Sequence, residues 1–234
     1  MNWPLLFMEQ TNFGDICRMG GLSIAERKKV FECVKIDDEP VLDGKPDEVF
    51  WGEADTQTPF LFMPGGSDPL VQTKTYLAYN NKALFIAYNC KEPKINLVKE
   101  GVSARDGEVW QDNSVELFFD PGKTGKDYSQ FILSSKGTLF DGASQNGTYN
   151  EDFNLEAGKQ IEYAIHKDKD SWTFEIKIDF SALNMPAPAS GSSIRFNLCR
   201  DRILSDGVGN EISSLAALFS SFQTPSRFAT MIFK

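Results

Sequence analysis

Apolar and polar residues alternate with a period of two along much of this chain, as expected of strands that bury one face. The clearest run is Ser114-Val115-Glu116-Leu117-Phe118-Phe119-Asp120. It sends Val115, Leu117 and Phe119 to one face and Ser114, Glu116 and Phe118 to the other. Asp120-Pro121-Gly122-Lys123 ends it, because proline cannot donate to a ladder and Pro-Gly favours a turn. Residues 128–134 alternate again, with Phe131 and Leu133 on one face and Gln130 and Ile132 on the other. Two β-rich runs, 73–79 and 83–90, flank Asn80-Asn81-Lys82 and predict a hairpin. Residues 161–166 and 172–178 flank Lys167-Asp168-Lys169-Asp170 and predict a second. Shorter strands are expected at 34–36 and 60–63, a longer one at 193–202 with Ile194, Phe196 and Leu198 inward, and a last one at 228–233. Residues 213–224 read as a long loop with apolar patches.

Helical signals are brief. Ser23 followed by Glu26 is a capping-box pattern and predicts a short helix through Cys33. Residues 47–51 predict one turn that buries Trp51, and 180–183 another, stopped by Pro186 and Pro188. The pattern therefore divides the chain into an N-terminal appendage, residues 1–33, partly helical, and a main domain over 34–234. About ten short strands separated by turn signals predict an all-β main domain, an antiparallel β-sandwich of two sheets with short helical turns.

Composition narrows the chemistry. The chain has 234 residues, a length that all-β sandwiches reach as one unit, and is 41% hydrophobic, enough for a substantial core. Nineteen phenylalanines stand against one histidine, His166, which argues against imidazole catalysis and zinc binding. A net charge of −9 disfavours nucleic acid as a partner. No run approaches the roughly 18 apolar residues of a membrane span. Residues 1–8 are apolar but lack a basic n-region, so no signal peptide is predicted there. Cys17, Cys33, Cys90 and Cys199 show no C-x-x-C and no disulfide framework; Cys90 and Cys199 read as small buried hydrophobes.

Familiar catalytic motifs, including G-x-S-x-G, the Walker loop and H-E-x-x-H, do not occur. Asp37-Asp38-Glu39 reads as a solvated turn without the EF-hand spacing, a calcium site being the alternative. Asn146-Gly147-Thr148 is a glycosylation sequon. Trp110 is more informative. It stands outside any apolar run, just before its strand and beside Gln111, Asp112 and Asn113. One reading is a rim tryptophan whose N–H finds a partner. The other is a platform for a sugar, whose C–H face suits an aromatic ring and whose hydroxyl edge suits carboxylates and amides. A glycoside hydrolase is a further alternative, with Glu116 and Glu175 as the two carboxylates, although Glu175 alternates with Lys177 on an apparent outer face.

Several stretches, in order, resemble the family 9 carbohydrate-binding modules. They are Asp43-Gly44 with Asp47-Glu48 and Trp51; Trp110 through Phe118; Gln130-Phe131 with Gly137 and Asp141; Trp172 through Leu183; Phe196-Asn197-Leu198 with Arg200-Asp201-Arg202; and Phe222, Pro225 and Phe228. The resemblance implies a β-sandwich with a non-catalytic site that clamps a mono- or oligosaccharide between two aromatic walls. It places Trp110 at the first wall, Glu116 as a hydroxyl-binding carboxylate and Phe222 where a second tryptophan is expected, with Gln111 and Asp112 beside them. It also implies a structural calcium, association with a glycoside hydrolase in polysaccharide degradation, and an extracellular or periplasmic setting. Two positions depart from the family. Its sugar-binding Arg is Ile132 here, and Phe219 stands where a polar residue precedes the second wall. Losing that Arg removes charge-assisted bonds worth roughly 1.5–3 kcal/mol each. A structural or interaction module with a degenerate site is therefore the third reading.

Overall fold

The computed structural model describes residues 30–54, 60–64, 66–151 and 161–234. Among them, thirteen strands form one hydrogen-bonded assembly. They are β1 (Val30–Lys35), β2 (Leu61–Met63), β3 (Thr73–Tyr79), β4 (Ala83–Lys91), β5 (Ser114–Asp120), β6 (Tyr128–Ser134), β7 (Leu139–Gln145), β8 (Thr148–Asn150), β9 (Ile161–Lys167), β10 (Ser171–Asp179), β11 (Ser193–Arg202), β12 (Glu211–Ser214) and β13 (Ala229–Phe233). Helical structure among the described residues is a five-residue helix, α1 (Val49–Glu53), and four short 3-10 turns. The all-β expectation holds.

The strand order is β8-β7-β6-β5-β11-β13-β1-β3-β4-β10-β9, with β12 pairing to β11 and β2. β1 lies parallel to both neighbours, Val30 opposite Thr230 and Val34 opposite Ala78. The expected pair of purely antiparallel sheets is thus corrected to a mixed path that β1 makes continuous. The reason lies in β1 itself. Phe31 and Cys33 have no exposed surface, and their strand fills the gap between two otherwise open edges. The same burial corrects the helix expected through Cys33: over Val30–Cys33 the chain is a strand, because pairing with β13 and core packing outweigh a local capping signal. The rest of that appendage, including Ser23, Glu26 and Cys17, lies outside the described residues.

The two halves of the path share one core. Val115, Leu117 and Phe119 of β5 belong to the same buried cluster as Leu84 and Ile86 of β4 and Trp172, Phe174 and Ile176 of β10. Tyr88 stacks on Phe174 at 4.8 Å, and Phe31 meets Phe196 edge-on at 5.7 Å. Each fully buried Phe contributes roughly 1.5–3 kcal/mol, so this cluster fixes which side of β5, β6 and β11 turns inward. Cys33, Cys90 and Cys199 are free and buried, as Cys90 and Cys199 were read. Trp51 is buried by a helix shifted two residues past the predicted turn.

Three further differences concern the outer strands. β7 and β8 were not anticipated; they are joined by Asn146 (φ 53°) and Gly147 (φ 82°), a turn that left-handed residues close tightly. The asparagine of the sequon is thus an exposed turn residue. The loop expected from Ser213 begins inside β12. Glu175 does alternate with Lys177, but it is fully buried rather than solvent-facing. Its carboxylate accepts from Trp51 Nε1 (3.2 Å) and from the backbone N–H groups of Asp43 (3.2 Å) and Gly44 (3.1 Å), so the incoming segment covers it. Burial, and next the nearby Glu48, raise its pKa, while these three hydrogen bonds pull it back down.

Candidate functional site

With the odd residues of β5 committed to the core, the even ones form the opposite face. The register sets Glu116 between Ile132 of β6 and Cys199 of β11, Phe118 beside Gln130, and Ser114 beside Asp201. On β7, Phe140 follows Ile132 and Gly142 follows Gln130 across the sheet. One surface therefore carries a polar group, Glu116, Gln130, Asp201 and Ser114, between two apolar flanks.

The polar group is closely connected. Gln130 Nε2 donates to Glu116 Oε2 at 2.8 Å, and Ser114 Oγ donates to Asp201 Oδ2 at 3.1 Å. Gln130 Oε1 accepts from the Tyr149 hydroxyl of β8 and from Gln223 Nε2 at 3.0 Å. Glu116 and Asp201 are nearly buried and share a hydrogen bond. Neither is ion-paired with a Lys or Arg among the described residues. Burial pushes the Glu116 carboxyl well above the usual carboxylate range, and the neighbouring Asp201 pushes it further. Burial raises Asp201 to about 7. Two such acids hold a proton between them at neutral pH, which lets the pair donate as well as accept.

Trp110 forms one flank. It sits in the 3-10 turn Val109–Gln111, half-buried, edge-on to Phe140 at 5.5 Å and 88°. Val109, Ile132 and Val102 complete the cluster, so the apolar side chain of Ile132 packs beside Trp110. The indole N–H is buried and makes no hydrogen bond among the described residues. Gln111 is exposed and donates to Glu108. Asp112 is fully buried, with its two oxygens accepting from Gly101 N (3.0 Å) and Val102 N (2.7 Å). That carboxylate clamps the 101–102 loop against the turn bearing Trp110.

Phe222 belongs to the other flank, packed with Met63, Phe118, Tyr128, Leu218 and Phe228. Only 8% of it is exposed, and it and Trp110 fall in separate clusters with the polar group between. Phe219 carries the Arg227 guanidinium 4.4 Å above its ring. Of the predicted residues, Glu116 and Trp110 are thus linked through Ile132, Gln111 lies at the rim, and Asp112 and Phe222 are enclosed. Gln130, Asp201, Tyr149 and Gln223 were not singled out as site residues. Asp201 could have been suspected from its place between two arginines, whereas Tyr149, on the unanticipated β8, and Gln223, in the stretch between β12 and β13, left no local signal. Among the described residues, no group of three or more His, Cys, Asp or Glu converges as a metal site, and Asp37, Asp38 and Glu39 are exposed. No helix among them is long and apolar enough to cross a membrane.

Solved structures share this fold. A family 9 carbohydrate binding module from Caldicellulosiruptor kristjanssonii in complex with cellotriose is similar with a TM-score of 0.66 at 16% identity, over 88% of this chain and 94% of its own. A family 9 module from the same organism in complex with glucose gives 0.64 at 16%, over 87% and 95%. A candidate carbohydrate-binding protein from Bacteroides uniformis ATCC 8492 gives 0.69 at 18%, over 88% and 99%. No curated protein matches the chain. Residues 42–234 match the sequence family described as "Carbohydrate family 9 binding domain-like". Because that match takes in every strand from β2 to β13, with the whole Trp110–Asp120 stretch inside it, the chain belongs to this family.

Proposed function

We propose that the face bearing Trp110, Glu116 and Gln130 is a non-catalytic carbohydrate site. The observation that carries this reading is the row of hydrogen-bonding groups, Gln130 to Glu116 to Asp201, set beside a half-buried tryptophan on one sheet face. A pyranose matches it: ring C–H groups against the indole, adjacent hydroxyls against groups that both donate and accept. Asp112 and Phe222 hold the loop and the far flank in place, and Gln111 edges the site. Glucose and cellotriose, the ligands of the family 9 modules from C. kristjanssonii, are the first probes to use. Family membership also supports a role beside a glycoside hydrolase outside the cytoplasm. Titration calorimetry with glucose, cellotriose and xylo-oligosaccharides tests the reading. Saturable binding to at least one, lost in Glu116→Ala, is the expected result.

A second reading has its own support. The amide of Gln130 and the carboxyls of Glu116 and Asp201 already find partners within the protein, and Ile132, where the resemblance leads one to expect an arginine, is apolar. A site closed on itself serves as a structural or interaction module. Absence of binding to every saccharide at millimolar concentration favours that outcome.

A further inference from the structure

Phe222 cannot easily act as an outer wall, since the cluster around it leaves little of its ring open. Tyr149 packs on the outside of that same cluster and is only half-buried. Its position is built in from several sides. A Cβ on Gly142 would lie 2.3 Å from the Tyr149 hydroxyl oxygen and 2.9 Å from the adjoining ring carbon, so the tip of the side chain occupies the space that glycine leaves. The ring runs nearly parallel to Tyr128, at 27° and 6.3 Å. Its hydroxyl donates to Gln130 Oε1, while Gln130 Nε2 donates to Glu116. Burial pushes that hydroxyl's pKa up, which keeps it a neutral donor at any physiological pH.

Trp110 packs over Phe140 and Tyr149 over Gly142, two successive positions on the same face of β7. Such positions are separated by about 6.5–7 Å along a strand. A sugar ring in van der Waals contact on both sides requires a comparable gap, about 3.5–4 Å to each neighbour. We propose that Tyr149 is the second aromatic contact of the saccharide site, in the role expected of Phe222, and that its hydroxyl together with the Gln130 amide reads the sugar's hydroxyl edge. This inference rests on the carbohydrate reading and assigns a specificity-determining residue to it.

The test is calorimetric titration of cellotriose into the full chain, its Tyr149→Ala and Tyr149→Phe variants, and a sample with 13C-labelled tyrosine rings followed by NMR. Tyr149→Ala is expected to weaken binding about tenfold or more, and Tyr149→Phe, which keeps the ring, by about threefold. The Tyr149 ring resonances are expected to shift on titration in the wild-type protein, a readout that remains if Tyr149→Ala does not fold. Wild-type binding with an unchanged Tyr149→Ala affinity, or with unshifted Tyr149 resonances, overturns the assignment and leaves the carbohydrate reading standing. Absence of cellotriose binding by the wild-type protein overturns the assignment, and absence of binding to glucose and xylo-oligosaccharides as well overturns both.

Discussion

Glu92 offers the sharpest test of how β11 is held against the other half of the fold. Its carboxylate has no exposed surface. It accepts from Arg202 Nε at 2.7 Å and Nη2 at 2.8 Å, a two-pronged pairing, and from Arg200 Nη2 at 3.3 Å and Lys94 N at 3.0 Å. Arg200 and Arg202 are 1% and 5% exposed, so water does not replace a lost partner. Glu92→Ala leaves two buried cations without a counter-ion, a change that costs about 3–5 kcal/mol. Native domains hold only about 5–15 kcal/mol in all, and at this chain length the loss lowers the melting midpoint by roughly 10 °C. Glu92→Gln keeps the shape and removes the charge, so it is expected to reproduce most of the loss. Urea unfolding followed by tryptophan fluorescence reads both variants as a lower midpoint with an unchanged slope. If both variants remain within about 1 kcal/mol of the wild type, the ion cluster is not what holds β11. If Gln restores wild-type stability, packing rather than charge is responsible. The site is involved as well, since Arg200 and Arg202 bracket Asp201 and anchor their side chains on the opposite face from it.

Two further predictions concern pH and backbone. Burial raises the pKa of both Glu116 and Asp201, so the folded protein holds protons that the unfolded chain releases; stability from this pair is greatest in acid and falls from about pH 4, the ordinary carboxylate value, through about 7. The difference in urea midpoint between wild type and Glu116→Gln, measured from pH 4 to 8, should shift steadily in the variant's favour, and a difference constant with pH would refute the shared-proton account. Gly44 has φ +82°, and a Cβ there would meet the backbone of Ile165 and His166 at 2.6 Å, beside its N–H bond to Glu175. Gly44→Ala is expected to cost about 2–5 kcal/mol from left-handed strain plus overpacking, against about 1–2 kcal/mol for Gly125→Ala, where φ is +69° but no atom lies within 4 Å; equal losses in urea unfolding would contradict this.

What was legible in the sequence was local and periodic. β3, β5, β6 and β11 stand at their predicted bounds because alternation and turn residues delimit them. β7 escaped notice because Asp141, Gly142 and Ser144 interrupt its apolar pattern, yet those residues are themselves buried: Asp141 pairs with Arg105, and Gly142 yields space to Tyr149. The first part of β1, Val30–Cys33, was misjudged because its pairing lies two hundred residues away, at β13. The same applies to the site. Trp110 and Glu116 share one stretch and could be read together, whereas the burial of Phe222 by β2, β5 and β6 residues, the cover over Glu175 and the arrival of Tyr149 and Gln223 at Gln130 are products of tertiary contact. Family resemblance carried the fold further than the site, since Ile132 preserves the sheet while changing what Trp110 rests against.

The central claim is that the Trp110–Glu116–Gln130 face binds a saccharide without transforming it. The most direct test is a calorimetric titration of cellotriose and glucose into the wild-type chain and into Trp110→Ala and Glu116→Ala, with the sugar recovered afterwards and analysed. The account predicts saturable binding by the wild type, a loss of about tenfold or more in each variant, and recovery of intact cellotriose. Binding that survives both substitutions, or cellotriose returned as shorter sugars, would contradict it.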